Sequence, residues 1–120
     1  MKYFFDTYAL VEIVRENKNY KKYFDEQIVT SSLNLGELYY FLFREFNEKT
    51  ANFWLDKFKT CFLNVDIDII IKAMRFKFEN KNKNFSFIDC IAYLLAKEHG
   101  LIFLTGDKEF ENLFNVEFVK

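Results

Sequence analysis

Four acidic residues, spread over a hundred positions, sit where carboxylates are not expected. Asp6 ends the aromatic run "KYFF" (2–5), and Asp107 follows the apolar run "LIFLT" (101–105). Glu37 lies in "NLGELYYF", where its helical neighbours at i−4, i+3 and i+4 are Leu33, Tyr40 and Phe41. Asp89 lies in "SFIDCIAYLLA", with Phe85, Ala92, Tyr93 and Ala96 on its helical face. A carboxylate left buried and unpaired costs several kcal/mol. Acids gathered at one point repel one another unless a cation neutralises them. The chemistry of such a set is that of a hard divalent cation such as Mg2+, which takes one or two carboxylates together with water and substrate phosphate.

Helix capping offers a simpler account of each acid taken singly. Asp6 and Asp107 stand where N-caps stand, and carboxylates there satisfy amides and favour the helix dipole. Glu37 is three residues after Asn34, and Asp89 three after Ser86, the spacing of a capping box. Capping does not explain why Glu37 and Asp89 have only apolar neighbours on their own faces. The two accounts are also compatible, because helix termini lower the cost of gathering charge.

The elements that must position these acids alternate. Strands are expected at 2–5, 27–31, 62–65, 101–105 and 116–119. Helices are expected at 6–16, 19–26, 33–48, 50–61, 66–79, 86–100 and 107–114. Asp66 or Asp68 caps the 66–79 helix. Ser86 opens the 86–100 helix and Gly100 closes it, with His99 in the last turn. The pieces "ENKNYKK" and "ENKNKN" read as solvated loops. Alternation of this kind implies a parallel sheet with helices on both faces, and the strands at 2–5 and 101–105 are apolar on both sides, as central parallel strands are. Asp6 and Asp107 then lie at the carboxyl ends of strands, where open α/β sheets bind ligands.

Composition agrees with one dense domain over 1–120. Apolar residues make up 51% of the chain, with 17 Phe and 7 Tyr, no Pro and three Gly, which favours helices over a turn-rich all-β fold. The formal charge of −1 lacks the basic excess of most nucleic-acid binders. Cys61 and Cys90 have no metal or redox spacing and read as reduced, buried small hydrophobes of a cytoplasmic protein. A single Lys before a short apolar run broken at Asp6 is neither a signal peptide nor a membrane span.

The ordered set "YFFDTYAL", "SLNLGELYY", "SFIDCIAYLLA" and "LIFLTGDKEF" resembles the PIN domain, and more narrowly the VapC-type toxin ribonucleases, across essentially the whole chain. The resemblance implies an α/β fold of three layers, α/β/α, with a five-stranded parallel sheet of order 3-2-1-4-5. It implies a metal-dependent endoribonuclease in which Asp6, Glu37, Asp89 and Asp107 hold Mg2+ or Mn2+ and hydrolyse RNA. Thr7 and Thr105 match positions where the family often has a hydroxyl near the site. The family often has a second Asp two residues after the last acid; here that place is Glu109, an auxiliary candidate. A homodimer and a small antitoxin partner are implied in the same way. The reading from another class is a PIN-like scaffold or RNA-binding module that has lost turnover.

Other acid-bearing doubly wound folds fit less well. A haloacid-dehalogenase-type phosphatase wants a second Asp two residues after the first, where this chain has Tyr8. A response-regulator receiver wants an acidic pair after the first strand and a phosphoacceptor Asp ending the third. Lys108 is a candidate phosphate contact or a plain surface lysine. His99 reads as a cation at a helix end. Tyr8, Tyr39 and Tyr40 suit base stacking or core packing, and Trp54 suits core or a dimer face.

Overall fold

The computed structural model describes residues 2–59 and 62–120. The strands are β1 (Tyr3–Phe5), β2 (Thr30–Ser31), β3 (Phe62–Leu63), β4 (Ile102–Thr105) and β5 (Val116–Phe118). The helices are α1 (Thr7–Val14), α2 (Ser32–Glu45), α3 (Glu48–Phe58), α4 (Ile67–Glu79) and α5 (Phe87–Glu98). All pairing is parallel. β1 pairs with β4 and β4 with β5 in one sheet, with Phe4 opposite Phe103 and Phe103 opposite Val116. β2 and β3 form a separate pair.

Alternation along the central strands builds two cores. Phe4 and Phe103 face one side, where they meet Ile69 and Ala73 of α4, Ile91, Tyr93 and Leu95 of α5, and Phe110. Tyr3, Phe5 and Leu104 face the other, against Leu10 of α1, Leu38 and Leu42 of α2, and Phe58 of α3. Successive strand residues point to opposite faces, so a strand buried on both sides must be apolar at every position. This is the expected layering of helix, parallel sheet and helix.

The expected five-stranded sheet is found instead as three strands plus a pair. The strands at 27–31 and 62–65 shorten to two residues each, too short to carry a ladder far. The expected helices at 19–26 and 107–114 shrink to single 3-10 segments, Lys18–Tyr23 and Lys108–Phe110. The expected 50–61 helix runs over Glu48–Phe58, and Cys61 lies outside the described residues. Cys90 is free and buried, as expected. Among the described residues no helix is long and apolar enough to cross a membrane.

Helix ends follow the sequence closely. Asp66 accepts the Ile69 N–H at 3.0 Å and caps α4. Ser86 and Asp89 form a reciprocal capping box at the start of α5. At its other end Gly100 has φ +66°, the Gly100 N–H bonds Lys97 O and the Leu101 N–H bonds Ala96 O. Those two bonds are a Schellman motif, which turns the chain directly into β4. His99 caps this end with Nδ1 3.0 Å from Leu95 O.

Substituting Gly100→Ala forces a side chain into the left-handed region. Unfolding in urea will show a loss of roughly 1 kcal/mol, the strain of that region for a residue with a Cβ.

Candidate active site

β1 and β4 run side by side in the same direction, so their exits lie together. The Asp6 N–H still bonds Leu104 O at 3.1 Å, which extends the ladder one residue past β1. There the Thr105 hydroxyl donates to Asp6 Oδ2 at 2.7 Å, across 99 residues of sequence. Thr105 Oγ1 also accepts the Asp107 N–H at 3.1 Å, so one threonine ties both strand exits. Gly106 lies between them. A Cβ at 106 would stand 2.2 Å from the Tyr8 ring and 2.4 Å from Val119 O, so only glycine lets the ring and the end of β5 close over this turn.

Asp6, Glu37, Asp89 and Asp107 all line one cleft of about 980 Å3, together with Thr7, Tyr8 and Lys108. Thr105 is fully buried beneath Asp6. Glu109 is not among the cleft residues; its Oε1 accepts the Asn84 N–H at 2.6 Å and holds the 80–84 loop. Of the three tyrosines, Tyr8 and Tyr40 line the cleft, while Tyr39 bonds Asn52 of α3 at 2.8 Å. Trp54 packs partly buried beside Phe58, away from the cleft.

The capping question divides by residue. Asp6 occupies the N-cap position of α1 but makes no cap bond with its side chain. Glu37 is no capping partner of Asn34: Ser31 caps α2, accepting the Asn34 N–H at 3.1 Å, and Glu37 lies a turn further in. Asp89 both caps and faces the cleft, its Oδ2 accepting the Ser86 N–H at 2.8 Å. Asp107 caps the following 3-10 segment through Oδ1 and the Glu109 N–H at 3.0 Å.

A fully buried side chain that the sequence offered only as a cap ties the acids together. Ser31 Oγ donates to Asn34 Oδ1 at 2.6 Å, which fixes which end of the amide points inward. Asn34 Nδ2 then reaches Thr7 Oγ1 at 2.9 Å and Asp6 Oδ1 at 3.5 Å. Thr7, accepting from Asn34, has one proton left and donates it to Glu37 Oε1 at 2.6 Å. The chain Ser31 to Asn34 to Thr7 to Glu37 thus has every hydrogen assigned.

Electrostatics records the crowding. Burial, then the charges of Asp89 and Glu37, push the Asp6 carboxyl up to about 7 against the bond from Thr105. Burial raises Glu37, opposed by Thr7 and reinforced by the Asp89 charge. Burial raises Asp89, opposed by the Ser86 N–H and reinforced by Asp107. Among the described residues no three acidic, histidine or cysteine side chains are arranged closely enough to hold a metal ion. The described hydrogen bonds leave Glu37 Oε2 and Asp107 Oδ2 with no protein donor.

Comparison with known proteins agrees with this fold. The PIN domain family model matches residues 3–114. Among curated proteins no significant match is found. Among solved structures, the chain is similar to VapC20 of Mycobacterium tuberculosis, described as a sarcin-ricin loop cleaving toxin. The TM-score is 0.86 at 17% identity, covering 99% of this chain and 100% of that one. A toxin-antitoxin complex from Klebsiella pneumoniae gives TM-score 0.77 at 21% identity, covering 97% and 96%. VapBC2 from Rickettsia felis, bound to a DNA fragment of its promoter, gives 0.75 at 19% identity, covering both chains fully.

Two outcomes follow from this geometry. The Asp6 carboxyl rises from 3.8 unfolded to about 7 folded, so the folded state holds a proton the unfolded state has released. That contribution to stability is present below the unfolded pKa and is lost as pH rises through about 7. Without added divalent cations, melting temperature will fall between pH 5 and pH 8, and Asp6→Asn will flatten the fall by on the order of 5 °C. Replacing Asn34 with Leu leaves buried partners unpaired and will lower unfolding free energy by about 1–3 kcal/mol in urea titrations.

Proposed function

This chain belongs to the PIN domain family, and from that premise we propose that it is a metal-dependent endoribonuclease, the toxin of a VapBC-type toxin–antitoxin pair. The observation that carries the reading is the meeting of Asp6, Glu37, Asp89 and Asp107 in one cleft at the exits of two parallel strands. The donor set suits Mg2+ or Mn2+. It is all oxygen and all carboxylate, burial and neighbouring charge make Asp6, Glu37 and Asp89 hold protons more tightly than usual, and Glu37 and Asp107 each keep an oxygen with no protein donor among the described hydrogen bonds. Asp6, Asp89 and Asp107 would hold the ion, with Glu37 joining directly or through water; as placed, no three of these carboxylates share a metal-ligating centre, so binding would have to draw them together. A divalent cation there supplies a more acidic water and offsets charge building on the phosphate.

The chain's own residues do the rest. Thr105 orients Asp6, Thr7 orients Glu37, and Asn34 fixes the direction of the Thr7 hydroxyl. In-line attack at the phosphodiester would leave 5′-phosphate and 3′-hydroxyl ends. The weak net charge is consistent with this, because bound cations offset the acids and a few basic side chains suffice to steer the RNA backbone.

The same reading takes residues 1–120 as one nuclease domain acting in the cytoplasm, as a homodimer silenced by a small antitoxin. The toxin–antitoxin complexes among its structural neighbours support the partner. It also takes the two sheets as one order, 3-2-1-4-5. The Phe5 N–H bond to Val29 O at 2.8 Å and the Thr30 hydroxyl bond to Phe5 O at 2.8 Å support that continuity.

Purified protein will cleave single-stranded RNA in Mg2+ or Mn2+ and stop on addition of EDTA. Asp6→Asn and Asp89→Asn will each lower kcat/KM by roughly 100-fold or more, at least the loss seen when support of a metal site is removed. No cleavage in either metal, with RNA still bound, would leave the inactive scaffold as the better reading.

A further inference from the structure

The cleft does not stop at the acids. Two helix faces run outward from them. On α1 the face carries Thr7, Val11 and then Arg15, just past the last helical turn; on α2 it carries Glu37, Tyr40 or Phe41, and Arg44, and all of these line the same cleft. At 1.5 Å per residue, Arg15 lies about 12 Å along the chain from Thr7, and Arg44 about 10 Å from Glu37. The groove therefore has a carboxylate floor at one end and a pair of guanidinium groups at the other.

Those guanidinium groups are placed on rings. Arg15 Cζ is 5.3 Å from the centre of the Phe41 ring, and Arg44 Cζ is 5.7 Å from the same ring and 5.4 Å from that of Tyr40. Tyr40 itself is 66% exposed. Each arginine has one acidic neighbour: Glu12 lies 3.6 Å from Arg15, and Glu45 lies 2.9 Å from Arg44. Both arginines are more than half exposed, the exposed Arg44–Glu45 pair is worth little, the largely buried Glu12 meets Arg15 at a single nitrogen, and most of the five donors of each guanidinium stay available. An exposed aromatic ring beside cations in a groove is the arrangement that holds single-stranded nucleic acid: bases stack on the ring and phosphates meet the charge.

Resting on the nuclease reading above, we propose that the groove between α1 and α2 seats the single-stranded RNA that flanks the cleaved bond. Arg15 and Arg44 together grip a backbone phosphate a nucleotide or two from the one over the acids, and Tyr40 stacks one base. The opposite signs at the two ends set direction. A phosphate over the acids needs the cation, whereas a phosphate at the arginines needs none.

Stopped-flow anisotropy of a short fluorescein-labelled single-stranded RNA in MgCl2, read before turnover and across a salt series, tests this. The double variant Arg15→Ala/Arg44→Ala will weaken binding roughly tenfold and reduce the slope of log K against log salt by about 0.7, the loss of one phosphate contact. Tyr40→Ala will weaken it about tenfold, and Tyr40→Phe will restore it, because stacking needs the ring and not the hydroxyl. Lys49→Ala on α3 and Arg75→Ala on α4, both exposed and outside the cleft, will stay within about twofold of wild type, since a surface charge away from the groove adds only weak attraction.

Unchanged affinity and slope in the arginine and tyrosine variants would overturn the proposal, as would a wild-type protein that binds no RNA. A groove shaped for a protein segment instead would give that same unchanged result. Binding that depends on these residues without any cleavage would sink the nuclease reading alone. Cleavage with unaltered binding in the variants would sink the groove alone.

Discussion

Like charges must be held together at the mouth of this sheet, and much of the local structure serves that end. A carboxylate only 4% exposed, with two others close enough to raise its proton affinity, is an unfavourable arrangement for a folded chain. It is sustained by donors aimed at it. Thr105 comes from the far end of the chain, Asn34 from α2, and Thr7 directs its one proton to the neighbouring acid. None of these donors carries a charge. With no charged donor among these, the gathered negative charge adds to burial in raising the proton affinity of Asp6.

The sheet makes the convergence possible. Two parallel strands adjacent in space deliver their exits to the same edge, so Asp6 and Asp107 meet although 100 residues separate them. The turn after β4 is closed by Gly106, where the Tyr8 ring and the Val119 carbonyl just past β5 leave no room for a side chain. Glu37 and Asp89 arrive on α2 and α5, which lie on opposite faces of the sheet. The acids thus come from both helical layers, and the cleft exists only when both are packed.

The apolar neighbours of the two helical acids mean different things. Those of Asp89 (Phe85, Ala92, Tyr93 and Ala96) are core, within 3% of full burial. Those of Glu37 are cleft wall, and Tyr40 faces solvent. A carboxylate inside an apolar stripe signals either a core edge or a lined groove, and periodicity does not distinguish them. The same stripe on α2 continues to Arg44, seven residues past Glu37, a position legible by counting turns once the Glu37 face is known to be open.

Local rules written into the sequence decided the helix ends at Asp66, Ser86 and Gly100 and the double-sided burial of β1 and β4. Each depends on neighbours within a few residues, through capping geometry or side-chain period. The shortness of β2 and β3, the 3-10 segments in place of two helices, the outward turn of Glu109 to the 80–84 loop, and the buried hub at Asn34 depend on partners 25 to 100 residues away. No local pattern encodes such partners: whether Asn34 meets solvent or Thr7 is settled only when α2 packs beside the exit of β1. The sequence determined which residues had to be reconciled. The tertiary structure decided which uncharged donors would hold them.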